Sequence, residues 1–270
     1  MPLPTQQPQH SSYAILRAAL TPLANATTTA GGALTAGQVS MSTNGLGYAE
    51  AQVDYYVDDT LAARRTFDLG HNTALNRTGK LFFEGIANAF DIFPPFQAQG
   101  IARTLHKQLT RTLRAAGVDR ILVKADRDGS AVWQRYYEWD FEEIGLNSQY
   151  VRAALFDAHT NQPLSPTLQK EWRVRAVRSA RWRARGIPFW LRASPAVLWR
   201  HRYAEQALAA RHLVATHTIR DLASAEGNEA TVSALLSSTN WHGVLCLSDA
   251  ATAHNEQLRL DALAPPKKRP

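Results

Sequence analysis

Between Leu81 and Phe141 the hydrophobic period of the chain changes, and that change restricts the fold more than any other feature. The stretch opens on an apolar run, Phe90 to Phe96, broken by Asp91 and by Pro94-Pro95. A small-residue turn follows, Gln97-Ala98-Gln99-Gly100-Ile101-Ala102. Then Ile101, Leu105, Leu109, Leu113 and Ala116 recur at steps of four and three, the spacing of one buried helix face. Gly117 stands where a helix end favours a residue free to take positive φ. Arg120 to Ala125 is short and β-branched, and reads as a buried strand. The predicted order is strand, turn, helix, strand.

The turn is the chemical part. A helix start exposes N–H groups with no partner inside the helix, and the helix dipole adds positive potential there. Such a start attracts anions, phosphate above all. Gly100 permits close approach to the backbone, and Ala102 leaves little side chain in the way. No acid lies between Asp91 and Asp119, and Arg103 and Lys107 follow in the first turns. The plain alternative is a tight strand-to-helix turn whose glycine serves packing alone.

Residues 97–102 fit the acyl-CoA loop of one family: Arg or Gln, two residues, Gly, one residue, then Gly or Ala. Gln97, Gly100 and Ala102 fill those places. Downstream, that family has a Tyr shortly before a Gly-Phe pair, and here Tyr136 precedes Phe141 by five residues. On these motifs the chain resembles the GNAT superfamily of acyl-CoA N-acyltransferases, over about sixty residues well and about a hundred loosely. It is most similar to GNAT-like domains within larger bacterial and phage-associated proteins. Two positions depart from the pattern. Gly129 replaces an Asn, which bears on CoA contacts, and Asp140 replaces the Gly before Phe141, which bears on the bulge beside the substrate.

The resemblance implies a mixed α/β fold: a mostly antiparallel sheet flanked by helices, here joined to a basic, mainly helical C-terminal region. It implies acyl transfer from acetyl-CoA, or another acyl-CoA, to a primary amine by direct attack in a ternary complex, with no metal. Gln97, Ala98, Gln99, Gly100, Ile101, Ala102 and Arg103 would hold the pyrophosphate. Tyr136 would protonate the departing thiolate. Its plainer role is an amphipathic ring that packs and hydrogen-bonds, and Tyr137 is the neighbour that a register slip would substitute. Glu84 would take a proton from the amine. Asp91 is the alternative base, on the opposite face if the strand is regular. The plain reading of Glu84 is a solvated strand-edge carboxylate. Main-chain N–H groups at Phe93 and its neighbours would hold the thioester carbonyl.

A second class of function stays open: a GNAT-shaped binding or interaction module without turnover. Gly129, Asp140 and the poor helix pattern after Tyr13 favour it, whereas the ordered loop and Tyr136 favour the enzyme.

The chain has 270 residues, enough to bury a sizeable core, and an ordinary apolar fraction of 45%. No apolar run approaches the length that crosses a bilayer, and the N-terminus lacks a charged-then-apolar leader pattern. The single cysteine, Cys246, forms no internal disulfide and suits the cytoplasm. His242 and Cys246, four apart, make half a metal site at best. A calcium loop at Asp126-Arg-Asp128-Gly129 fails because its closing Glu would fall on Tyr137.

Residues 1–12 read as a disordered Pro- and Gln-rich tail, 13–155 as the acyltransferase-like domain, 156–262 as the basic helical region and 263–270 as a basic tail. Tyr13 to Leu20 is a strand or a short helix. Thr21 to Asn44, rich in Thr, Ala and Gly, matches no template. Gly47–Asp58, Leu61–Leu69 and Leu81–Ile92 read as strands, and Glu143–Val151 as a last one. Tyr203–Leu222 and Glu229–Ser237 read as helices, and Leu258–Pro270 as a frayed end.

Charge is concentrated. From Lys170 to Arg202 the segment carries +9 against +7 for the whole chain, leaving −2 for the rest. Trp172, Trp182, Trp190 and Trp199 are spaced among its arginines. Three partners suit it: nucleic acid through phosphate and stacking, an anionic membrane surface, or the protein's own core with Arg facing solvent. The amine acceptor is open, with an acidic acceptor favoured by this segment.

Overall fold

A computed structural model describes residues 9–23, 25–72, 81–125, 139–142, 147–148, 208, 210–218 and 241–263. It is mixed α/β with a mostly antiparallel sheet. The chain divides into two compact units, residues 1–123 with 246–252, and residues 124–245 with 253–270.

The first unit begins with helix α1, Gln9–Leu20. Ser12, Leu16, Ala19 and Leu20 are buried, a helical spacing. This resolves the strand-or-helix choice over 13–20 and corrects the tail assignment, because residues 9–12 are the first turn of α1. The Thr- and Gly-rich stretch that matched no template supplies two short strands, β1 (Leu34–Ala36) and β2 (Ser40–Thr43). Both pair antiparallel with β3 (Ala49–Val57), β1 along Tyr55–Val57 and β2 along Ala49–Gln52, so together they form one interrupted edge.

Along β3, Ala49, Ala51, Val53, Tyr55 and Val57 are buried while the residues between them are not. This alternation is what a sheet with one covered face requires. Asp58 and Asp59, with φ 47° and 65°, turn the chain into β4 (Thr60–His71). Two consecutive positive φ values match the twist of a tight hairpin, and Asp tolerates them. Strand β5 (Phe83–Ile92) pairs antiparallel with β4. A 3-10 turn (Pro94–Phe96) and helix α2 (Ile101–Ala115) lead to β6 (Arg120–Ala125), which runs parallel to β5.

Helix α2 buries Ile101, Leu105, Leu109 and Leu113, as its period predicts, and also His106. Ala116 is not part of that face. It is the exposed C-cap, and Gly117 (φ 78°) ends the helix. Helix α1 packs on α2, β3 and β4. The Tyr55 hydroxyl crosses this core to donate to the Leu20 carbonyl at 2.8 Å, and burial pushes its pKa up to about 12.

In the second unit β7 (Asp140–Phe141) pairs antiparallel with β8 (Trp241–Cys246). Trp139 and Trp241 are buried there. Asn147 clamps β8 by donating from Nδ2 to the His242 carbonyl (2.8 Å) and accepting the His242 N–H at Oδ1 (2.9 Å). Residues 210–216 are helical, within the helix expected from Tyr203. Helix α3 spans Asp249–Leu263, and Arg259 donates to the Ala215 carbonyl.

Two expectations are corrected here. Asn147 and Ser148 are helical within a stretch read as strand, and residues 258–263 continue α3 instead of fraying. The Arg/Trp segment, the 229–237 helix and the basic tail lie outside the described residues. No described helix is long and apolar enough to cross a membrane.

Candidate functional site

The site is built where β5 leaves the sheet. Strand β5 is paired with β6 from Glu84↔Arg120 to Ala87↔Val123, and the pairing ends there although β5 runs on to Ile92. The next residue, Asn88, is a β-bulge. Thr66 pairs with Ala89 and Phe67 with Ala87, so Asn88 is the extra residue. A bulge bends its strand and strengthens the local twist, which turns the far half of β5 away from a parallel neighbour. Burial changes at the same point: Glu84, Gly85 and Ala87 are buried, whereas Asn88 to Ile92 are exposed or half-exposed.

The bulge also moves a candidate base. A regular strand would put Glu84 and Asp91 on opposite faces. With Asn88 inserted, Glu84 lies across from Gly70 and Asp91 across from Arg64, six residues apart on β4, so both carboxylates share a face. The expectation of opposite faces is corrected.

The loop then braces itself. Gln97 donates from Nε2 to the Ile92 carbonyl and Gln99 from Nε2 to the Pro95 carbonyl, both at 3.0 Å. Ala98 takes φ 62°, a left-handed conformation that costs a residue with a Cβ about 1–2 kcal/mol. Gly100, at φ 75° and ψ 3°, is the N-cap of α2. Gly100 has no side chain to cap the helix, and the first turn carries no acid. Arg103 is exposed in that turn.

A neighbour that sequence reasoning missed completes the loop. Thr29 donates its N–H to the Gln99 carbonyl at 3.0 Å, and a Cβ on Gly100 would meet Thr29 Cγ2 at 2.8 Å. Glycine is required at position 100 by its φ and by this contact together. The Phe93 N–H, expected to face the thioester, donates instead to the Ala62 carbonyl at 3.0 Å.

Glu84 sits at the other end of β5, roughly 26 Å from Ile92 along the strand. It is buried rather than solvated. Arg120 Nε donates to one carboxylate oxygen at 2.7 Å and the Tyr48 hydroxyl to the other at 2.9 Å. Burial and the Glu84 charge push the Tyr48 pKa up, so it stays a donor. Arg120 also lies over the Phe82 ring, 4.6 Å from its centroid. Tyr136, Tyr137 and Gly129 lie outside the described residues.

Beside the bulge is an acid that the sequence reading passed over. Asp68 on β4 is 4% exposed and lies directly across from Glu50 on β3. Asn44 Nδ2 donates to Asp68 Oδ2 at 2.5 Å, and the Asn88 side chain hydrogen-bonds the same carboxylate. Burial raises the Asp68 pKa and Glu50 adds to that, against the nearby amides of Asn88 and Asn44. The one available signal was Asn88 itself, a polar residue between two alanines.

Beneath the sheet, Arg65 is buried between the Phe67 and Phe90 rings and meets His106 Nδ1 at 3.1 Å. A groove of about 530 Å³ lined by Tyr13, Ala14, Arg17, Ala18 and Thr21 runs along α1 and shares no described residue with the loop. In β8, His242 and Cys246 stand roughly 13 Å apart along the strand, too far to share a metal. Among the described residues no three His, Cys, Asp or Glu side chains are grouped to hold a metal ion. No protein-family model matches the chain, and no curated protein matches its sequence.

Proposed function

We propose that the chain is an acyl-CoA-dependent N-acyltransferase that passes an acetyl or related acyl group to a primary amine. What carries this reading is the coincidence of three features on one βαβ unit: the end of β5–β6 pairing at Ala87, the bulge at Asn88, and the left-handed Gly100 start of α2. A parallel pair that parts beyond Ala87 leaves backbone groups of β5 for an extended, amide-bearing arm. The helix start suits the pyrophosphate at the end of that arm. Asn88 lies roughly 13 Å from Ile92 along the strand, a span suited to a pantetheine arm. Glu84 in this reading holds the closed end of the β5–β6 pair together, because both its oxygens are occupied and it is far from the loop. Tyr136 remains the proposed acid for the thiolate.

The test is calorimetric titration of the protein with acetyl-CoA beside Arg103→Glu. Gly100 is a poor target because any Cβ there strains the loop and strikes Thr29. A Glu at position 103 is exposed, suits a helix N-terminus and repels a pyrophosphate. Micromolar binding, weakened at least tenfold in the variant, is expected. A folded protein that binds neither acetyl-CoA nor longer acyl-CoAs sinks the reading.

The engagement of Glu84 favours a second reading, a module of the same fold that binds without turnover. It predicts acyl-CoA binding or partner binding with no free CoA thiol released in the presence of amines.

A further inference from the structure

We propose that the contact between Arg65 on β4 and His106 on α2 is an acid-sensitive strut beneath the 97–102 loop, which holds the two ends of the loop while His106 is neutral and lets the start of α2 part from the sheet when it is protonated. The consequence, weaker acyl-CoA binding in acid, rests on the N-acyltransferase reading and names a regulation of that site.

The strut joins the segments on either side of the loop. Arg65 is directly across from Phe90, which stands roughly 7 Å from the end of β5 along the strand. Its guanidinium lies 4.6 Å from the Phe90 ring centroid and 5.5 Å from that of Phe67. On its other side Nη2 meets His106 Nδ1 at 3.1 Å. His106 stands roughly 8 Å from Ile101 along the axis of α2. Arg65 and His106 are both 1% exposed. One buried guanidinium therefore holds the last part of β5 and the first turns of α2, and residues 93–100 are strung between those two points.

The contact fixes a protonation state. A guanidinium offers only donors and keeps its charge. Nδ1 must accept, so it carries no proton, and the neutral ring holds its hydrogen on Nε2. A protonated ring donates at both nitrogens and sets a second positive charge beside the first, in a buried place that screens it little. Among the described residues Arg65 is the charged group that faces His106 from the elements packed on it. Glu50, Asp54, Asp68, Glu84 and Asp91 register with the opposite face of the sheet, and Arg17 on α1 and Arg103 and Lys107 on α2 are exposed. Burial first, then the Arg65 charge, holds the His106 pKa down, so the ring is neutral in the folded chain at neutral pH. A ring released from Arg65 takes its proton near 6.5. Each pH unit below that favours the released state by up to about tenfold.

Three measurements on the full chain test the strut, beside H106N, whose Oδ1 replaces Nδ1 as acceptor and takes no proton. Nitrogen NMR at pH 7.5 should show His106 as the Nε2–H tautomer. Hydrogen exchange, corrected for intrinsic rates, follows the amides of α2 from Thr104, whose N–H donates to the Gly100 carbonyl at 3.0 Å. These should open locally, with less protection than β3 and β4. Their protection should fall at least fivefold from pH 7.5 to 5.0 in the native protein and stay level in H106N. Calorimetric acetyl-CoA affinity should fall severalfold more over the same range in the native protein than in H106N, a comparison in which the ionisation of the CoA phosphates cancels. A Nδ1–H tautomer, protection that ignores pH, or opening only together with β3 and β4 overturns the strut. Parallel acetyl-CoA profiles in the two proteins overturn its link to the ligand. Should H106N fail to fold, the tautomer and the exchange of the native protein decide. A pH-sensitive opening with no acetyl-CoA binding at either pH would end the acyltransferase reading and leave the strut standing.

Discussion

Glu84 shows how a residue's surroundings decide between chemistry and structure. A general base needs an oxygen free for the incoming proton. Arg120 and Tyr48 occupy both oxygens of Glu84, in a buried setting where breaking an ion pair leaves an uncompensated charge. Glu84→Gln should therefore destabilise the protein by about 3–5 kcal/mol in urea unfolding, and leave acetyl-CoA affinity within a few-fold. A variant that stays as stable as the native protein but loses turnover would restore Glu84 as the base. His106 gives a second residue-scale expectation. Burial first, then the charge of Arg65, holds its pKa well below the ordinary 6.5. The unfolded chain binds that proton near 6.5 and the folded chain does not. Stability is thus fully present above about pH 6.5 and falls as pH drops below it, by up to about 1.4 kcal/mol per pH unit. Urea titrations from pH 7.5 to 5.5 should show this slope, and His106→Gln should flatten it.

At the scale of elements, the bulge in β5 is the feature on which the proposed site depends. Deleting Asn88 should regularise the β4–β5 ladder and return Asp91 to the face opposite Glu84. Acetyl-CoA affinity should fall at least tenfold while far-UV dichroism is retained, and unchanged affinity would detach the site from the bulge. Gly85 tests the packing behind the same strand. A Cβ there would lie 2.5 Å from the Phe67 ring, so Gly85→Ala should cost about 1–3 kcal/mol in melting experiments. The strand, turn, helix and strand from Phe83 to Ala125 were legible in the sequence because their signals are local: a change of period, a small-residue turn, a terminal glycine. The edge strands were not. Leu34–Ala36 and Ser40–Thr43 are strands because β3 offers them an unpaired edge, and Thr, Ala and Gly carry no period of their own. The bulge was invisible for a related reason, since it exists only in the register of two strands. Parity arguments across it, such as the one that separated Glu84 from Asp91, fail by one residue. Asp68 was missed because a lone acid in an alternating strand reads as its solvent face, whereas here that face is covered enough to bury it.

On the scale of the whole chain, the first unit is not finished until its last residues return. Residues 246–252 belong to it, more than a hundred positions after Val123. The junction is Asp119. Its carbonyl accepts the N–H groups of Leu247 (2.7 Å) and Ser248 (3.2 Å), and its Oδ1 accepts the Ser248 hydroxyl at 2.8 Å. Its Oδ2 accepts the Phe83 N–H at 3.0 Å, and its own N–H donates to the Phe83 carbonyl. One residue therefore ties the start of β5, the start of β6 and the N-terminus of α3. Ser248 works from the other side as the α3 cap, accepting the Ala251 N–H at 3.2 Å. A contact that closes so long a loop repays its entropy only if the partners act together. Ser248→Ala should lower stability by about 1–2 kcal/mol, the usual cost of a lost cap plus a hydrogen bond to a carboxylate. Asp119→Ala should cost more, because it also strands the Phe83 N–H. The double variant should fall short of the sum by about 0.5–3 kcal/mol in a thermodynamic cycle. Strict additivity would mean that the returning segment is held by its main-chain bonds alone, and that the side-chain pair adds nothing to the closure of the unit that carries the 97–102 loop.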